Sequence, residues 1–172
     1  MMIKVYNAII RDSLLKGAIM KIQIIIHSTT GNTLSVGDKI KDKLLKDKHK
    51  VSLDMIEASN DQEPDPSKIV LTTNPTFKKV DGYIIGTPVR GFSLSPVMKT
   101  YLNKIESFNK QPVYIFVTQY FPFPFMGGNR SIKQLKQIVE AKGGKIIDSG
   151  IANWTSKKRK KLIDQIVEKA FV

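Results

Sequence analysis

The chain has 172 residues, 41% of them hydrophobic, which suits one domain with a sizeable core. It contains no cysteine, so disulfides, thiol nucleophiles and iron–sulfur ligation are excluded, and its two histidines, His27 and His49, suggest no metal site. The net charge is +13, from 28 Lys and Arg against 15 Asp and Glu, and no apolar run reaches the length of a membrane span. We therefore expect a cytoplasmic protein that attracts anionic partners.

Residues 1–19 place Ile3, Tyr6, Ile10 and Leu14 at roughly helical spacing, but Arg11, Asp12 and Lys16 interrupt any signal-peptide core. We read them as an extension upstream of a true start at Met20, with a helix lying on a membrane surface as the alternative. Residues 20–172 then form a single domain. The apolar run Ile22–His27 predicts the first strand, and Leu34 to Leu45, with Leu34, Ile40, Leu44 and Leu45 among charges, an amphipathic helix. Val51–Met55 alternates as a short second strand. Residues 57–79, with Pro64, Pro66 and Pro75, read as a polar loop with at most a short helix.

Gly82–Gly86 predicts the third strand, followed by a loop from Thr87 and a helix from Ser95-Pro96 to about Ile105, since serine caps and proline suits the first helical position. Val113–Thr118 is the fourth strand and Ser131–Ala141 the next helix, stopped by Lys142-Gly143-Gly144. Ile146-Ile147 lies in a fifth strand, and Leu162, Ile163, Ile166, Val167 and Ala170 stripe a last helix over about Lys158–Ala170. Repeated strand–helix alternation predicts an α/β fold, a three-layer doubly wound five-stranded parallel sheet of order 2-1-3-4-5.

Lysines at positions 39, 41, 43, 46, 48 and 50 alternate with Asp38, Asp42 and Asp47, as on a solvated helix face. Lys157-Lys158-Arg159-Lys160-Lys161 is different. It lacks interleaved aromatics and any binding motif, so no specific nucleic-acid site is read from it. Cations there oppose the dipole of the helix they begin, which leaves the run without a local rationale.

In a doubly wound sheet the ligand lies at the carboxyl ends of the strands, where the loops after strands one, three and four converge. The first loop is Ser28-Thr29-Thr30-Gly31-Asn32-Thr33. Hydroxyls and free backbone N–H groups at a helix start form a phosphate pocket, and Gly31 lets the backbone come close. Neither Gly-x-x-x-x-Gly-Lys nor Gly-x-Gly-x-x-Gly occurs, so neither a triphosphate P-loop nor a dinucleotide fingerprint is present.

Ser-Thr-Thr-Gly-Asn-Thr after the first strand resembles the FMN phosphate loop of the flavodoxin family. Gly86-Thr87-Pro88-Val89 likewise resembles a segment that borders the flavin ring in flavodoxin-like proteins, and the four aromatics and glycine pair of residues 118–129 fit a second bordering loop. The resemblance covers about residues 20–172. It implies FMN as cofactor, with Ser28, Thr29, Thr30, Gly31, Asn32 and Thr33 at its phosphate. Thr87, Pro88, Val89, Arg90, Gly91 and Phe92 would line one side of the isoalloxazine, and Thr118, Gln119, Tyr120, Phe121, Gly127 and Gly128 the other. Gly91 could also ease a peptide flip near the flavin.

Two features depart from the family. Arg90 stands where many members carry tryptophan, and the only tryptophan is Trp154. The chain is basic where flavodoxin carriers are acidic, which predicts a flavin that is easier to reduce fully. One added cation at about 10 Å in water is worth roughly 0.4 kcal/mol, nearly 20 mV. Nothing in the sequence resembles a Ser-His-Asp, paired-carboxylate or metal constellation, so no catalytic side chain is assigned. Three functions follow in order of preference: an electron carrier between redox proteins, one of them acidic; an NAD(P)H-dependent FMN oxidoreductase of the quinone reductase type; and a cofactor-free interaction module.

Overall fold

Side chains alternate along three central strands and build two separate cores. On β1 (Lys21–His27), Ile22, Ile24 and Ile26 face one side and Ile25 the other. On β4 (Gly82–Arg90) and β6 (Pro112–Gln119), Tyr83, Ile85, Val113 and Ile115 join Ile25, while Ile84, Tyr114 and Phe116 join the other three isoleucines. A sheet that is apolar on both faces must be covered on both. Helices α1 (Asn32–Lys46) and α4 (Arg159–Lys169) cover one face through Val36, Ile40, Leu44, Ile163 and Ile166. Helices α2 (Pro96–Lys104) and α3 (Gly128–Ala141) cover the other through Val97, Met98, Tyr101, Leu102, Leu135 and Val139. The computed structural model describes residues 18–171, so the reading of residues 1–19 falls almost wholly outside the described residues.

With β2 (Lys50–Ala58) and β7 (Lys145–Asn153), the parallel strands stand in the order β2-β1-β4-β6-β7, the doubly wound arrangement expected from the sequence. Two short antiparallel strands were not expected. Leu71–Thr73 (β3) extends the sheet beside β2 after a single helical turn at Pro66–Lys68, inside the stretch read as loop. Ser93–Leu94 (β5) turns back on the end of β4, with Val89 opposite Leu94 and Arg90 opposite Ser93.

The third strand thus runs four residues past Gly86, and Thr87–Arg90 belong to it rather than to a loop. Pairing with β1 ends at Gly86, while pairing with β6 continues to Pro88 opposite Thr118. Pro88 therefore sits where one side of the strand carries no ladder, the position a strand proline tolerates.

Gln23 is a buried polar residue in the middle of β1. Its amide donates to Asp54 Oδ2 and to the Thr76 carbonyl, each at 2.9 Å, and accepts from the Lys78 N–H at 2.9 Å, which pins residues 76–78 beneath the sheet. Ser95 caps α2 as its sequence suggests, accepting from the Met98 N–H. Among the described residues no helix is long and apolar enough to cross a membrane.

Gly86 marks the tightest place in the sheet. A Cβ there would collide with the Phe116 ring and lie 2.6 Å from Ile26 Cδ1. Both side chains are fully buried. Gly86→Ala should therefore destabilise the fold by about 1–3 kcal/mol, the usual cost of overpacking, as measured by urea denaturation.

Candidate functional site

The loop after β1 begins at a buried histidine. His27 Nε2 lies 2.7 Å from Asp61 Oδ1, and its Nδ1 lies 2.9 Å from Ser95 Oγ. The ionised Asp61 can only accept, so the ring donates from Nε2, and the neutral imidazole then accepts at Nδ1 from the Ser95 hydroxyl. Every atom of this chain is satisfied with the imidazole neutral. Burial pulls the His27 pKa below its ordinary 6.5, against Asp61, which raises it. Burial tends to raise the Asp61 carboxyl, but the Thr29 hydroxyl, His27 and Arg90 together hold it below the usual carboxylate range.

Asp61 joins three segments. Its Oδ2 accepts from Thr29 Oγ1 at 2.9 Å and from Arg90 Nη1 at 3.2 Å, while Arg90 also donates to Thr29 Oγ1 at 3.1 Å and to Gln62 Oε1. Thus the end of β1, the segment after β2 and the end of β4 are held together at one corner. Asp61 and Gln62 were not named from sequence, because they lie in the stretch read as polar loop. The topology itself was the available signal, since that loop leaves β2 at the same end of the sheet.

A serine, a histidine and an aspartate therefore do meet, which the sequence reading did not anticipate. They do not form an acyl-transfer triad. Ser95 is fully buried as a helix cap, so no substrate reaches its hydroxyl.

The predicted phosphate residues divide into two sets. Thr33 Oγ1 turns inward to Thr118 Oγ1 at 2.7 Å, clamping the start of α1 to β6, and both side chains are buried. Ser28 Oγ accepts from the Leu34 N–H at 3.2 Å, and Thr29 is engaged by Asp61 and Arg90. Thr29, Thr30 and Gly31 are exposed, and Ser28 and Asn32 are partly so. Gly31 has φ +83°, α1 has no side-chain cap, and no acidic residue stands in its first turn. The amides of Asn32 and Thr33 lack acceptors within the helix, as at any helix start. A Cβ at Gly31 would meet no atom within 4 Å. This cradle of free donors and open space at a positive helix end fits a phosphate.

Gly91 and Phe92 form the two-residue turn between β4 and β5, both at positive φ (53° and 57°), as such hairpins require. Phenylalanine there costs on the order of 1–2 kcal/mol. The strained residue stacks its ring on Phe121, with centroids 5.5 Å apart and planes within 8°. Open space also lies beyond Gly91. Tyr120 meets Phe121 edge to face at 5.8 Å. Gly127 packs beneath the hairpin, where a Cβ would lie 2.8 Å from Phe92 Cα. Gly128 lies against Gln119, whose buried amide Nε2 donates back to the Phe121 and Phe123 carbonyls. Thr87 is fully buried, and Pro88, Val89 and Arg90 are half-buried on the strand.

Thus Thr30, Gly31, Gly91, Phe92, Tyr120 and Phe121 line open surface, while Thr33, Thr87, Thr118, Gln119, Gly127 and Gly128 hold the frame beneath them. A polar cavity of about 290 Å³ opens on the β2 side, lined by His27, Ser28, Thr29, Asp61 and Thr72 among others. Another recess, of about 480 Å³, lies at the opposite end of the sheet near Asn74, Phe77 and Tyr101, away from the converging loops.

Fold and phosphate cradle together define a flavodoxin-like protein. The model of the NADPH-dependent FMN reductase family matches residues 20–158, and the chain belongs to that family. Among solved structures it is similar to a flavodoxin from Streptococcus pneumonia TIGR4, with 16% identity and TM-score 0.61 over 87% of this chain and 96% of that one. A Fusobacterium nucleatum flavodoxin bound to flavin mononucleotide is similar at 16% identity and TM-score 0.59, over 88% and 96% of the two chains. A flavodoxin-like WrbA-like protein from Agrobacterium tumefaciens is similar at 14% identity and TM-score 0.63, over 88% and 93%. At these identities the structures show the fold. No curated protein sequence matches the chain. Family and fold support FMN as the cofactor.

The neutral histidines set a pH dependence. His49, whose Nδ1 accepts from the Met20 N–H, is also held below 6.5 by burial. Below that pH the unfolded chain binds more protons than the native one, so stability is full above about pH 6.5 and falls as the pH drops through the lowered folded values. Urea midpoints at about pH 7.5 and 5.5 should show this loss, with a shallower drop in His27→Gln because only His49 then contributes.

Proposed function

We propose that the protein is an FMN-dependent oxidoreductase that takes reducing equivalents from NADPH and passes them to an acceptor. The observation that carries this reading is the open phosphate cradle at Gly31, in a chain of the NADPH-dependent FMN reductase family. Ser28, Thr29, Thr30, Gly31, Asn32 and the first amides of α1 would hold the FMN phosphate. The Thr87–Phe92 hairpin would border one side of the isoalloxazine, and Tyr120 and Phe121 the other. Thr33, Thr118, Gln119, Gly127 and Gly128 act as positioning residues beneath these groups. FMN, when bound, supplies acceptance of hydride from a nicotinamide and onward transfer of its electrons.

Arg90 would serve as the fixed cation at the rim. Its guanidinium is oriented by Asp61, Thr29 and Gln62, so it presents charge without reorganisation when an anionic group arrives. The sequence placed a carrier first, and that remains the second reading. It is favoured by the likeness to flavodoxins and by the short connection between β7 and α4, which leaves no room there for a nicotinamide domain. An acidic redox protein would then be the partner of this basic chain.

An anaerobic absorbance spectrum of the FMN-loaded protein, before and after NADPH, separates the two. Rapid bleaching of the flavin is the expected result. Bleaching by dithionite but not by NADPH or NADH would establish the carrier instead. The cofactor assignment has its own test. Gly31→Val fills the open space at a residue of positive φ, and should weaken FMN binding at least about tenfold. Flavin fluorescence quenching measures this, and an unchanged affinity would remove the phosphate from this loop.

A further inference from the structure

We propose that the loop after β6 docks the protein on an anionic lipid bilayer, with Phe123 and Phe125 entering the interface and the basic start of α4 facing the headgroups. The two rings stack on each other at 5.5 Å, and are 54% and 75% exposed. Such large apolar surface turned to water on purpose marks an interaction site.

The loop is built to keep the rings outward. Its sequence is Phe121-Pro122-Phe123-Pro124-Phe125, and four successive carbonyls already have donors. Gln119 Nε2 donates to those of Phe121 and Phe123, Asn153 Nδ2 to Pro122 at 2.6 Å, and the Asn129 N–H to Pro124 at 2.8 Å. The two prolines carry no N–H at all. Carbonyls satisfied in this way cost less to take out of water, which eases a shallow entry into the bilayer interface. Phenylalanine, with no polar handle, has nothing to lose there.

Charge names the surface. The Tyr120 carbonyl accepts from the Thr155 N–H at 3.1 Å and from its hydroxyl at 2.8 Å, so residues 153–155 run beside the loop. Lys157, Lys158, Arg159, Lys160 and Lys161 follow at once and are all exposed. No acidic residue occurs from Thr118 to Val139 or from Ser149 to Ile163. Helix α4 also starts with no side-chain cap and no acid in its first turn, so its dipole adds to the same positive field. The basic run that had no local rationale thus gains aromatics through the fold. Such a face repels a second copy of itself. Each ring already gives one face to the other, which leaves fewer faces for bases to stack on. Apolar insertion beside cations is the pattern of surface binding to anionic lipid.

The test uses the full-length FMN-loaded protein, sedimented with phosphatidylcholine vesicles and with vesicles one third phosphatidylglycerol. Binding to the anionic vesicles alone is expected, weakening with added salt and shifting the emission of Trp154 to the blue. Phe123→Ser with Phe125→Ser should lower the partition at least about tenfold. Lys157→Gln, Lys158→Gln, Lys160→Gln and Lys161→Gln combined should lower it about a hundredfold or more. FMN affinity should be unchanged in the phenylalanine variant, so that arm of the test is independent of the cofactor reading. Failure to pellet, equal binding to neutral vesicles, or native binding by the phenylalanine variant would overturn the proposal. So would a dimer that the phenylalanine substitutions dissociate, or a dT oligonucleotide complex that requires the same rings.

Discussion

A buried imidazole at the last residue of β1 governs how the candidate site is arranged. His27 lies where the strand leaves the core, and a buried ring with two nitrogens needs a donor on one side and an acceptor on the other. Ser95 and Asp61 supply these. Asp61, once drawn in, presents its second oxygen to Thr29 and Arg90. Breaking the bond at His27 would leave a buried polar group unpaired and also release the carboxylate that orients the arginine. The cost of such a lost partner, about 1–3 kcal/mol, is comparable to the energies that separate one loop conformation from another. The site is therefore as rigid as this one chain of hydrogen bonds.

The Ser28–Thr33 loop engages most of its own hydroxyls within the fold. Of its hydroxyls, Thr33 ties the helix to β6 and Thr29 joins the arginine corner, while Thr30 stays free. The inward groups fix the position of the helix start, and the helix start supplies the amides. Gln119 and Asn153 do the same on the other side, spending their amides on the carbonyls of the aromatic loop. A positioning group loses its hydrogen bond when replaced, but the effect on ligand affinity arrives through displaced neighbours. Substitutions at Thr118 or Gln119 should therefore couple to those in the loops they support rather than add to them.

The parallel order of the sheet was legible because the central strands are short apolar runs separated by amphipathic segments. The Ser28–Thr33 loop was legible because Gly31 and its hydroxyls follow such a run directly. What escaped was set by tertiary pairing. Thr87–Arg90 has no strand pattern of its own and is extended only because Pro88 finds Thr118 and Val89 finds Leu94. Asp61 sits in a segment whose composition says only that it is polar, and its role depends on three residues far away in sequence. Likewise Thr33 and Thr118 are 85 residues apart, and no local rule announces that one hydroxyl will meet the other.

Positive charge is concentrated where three helices begin. Helices α1, α3 and α4 all start at the carboxyl end of the parallel strands, and none carries an acid in its first turn. In most helices an early carboxylate would offset the dipole. Its omission three times over, with Arg130 and the Lys157–Lys161 run added at that end, sums contributions that individually are small in water. Screening limits each to about a Debye length of 8–10 Å, but the loops of the site and the start of α4 are joined by direct hydrogen bonds through residues 119–122 and 153–155. Anything negative that reaches one part of this end is therefore favoured by the whole of it. An anionic cofactor near Gly31 and an anionic surface beyond Phe125 would each partly neutralise the field the other experiences. Binding of one then weakens the electrostatic attraction for the other, and by linkage the reverse holds equally.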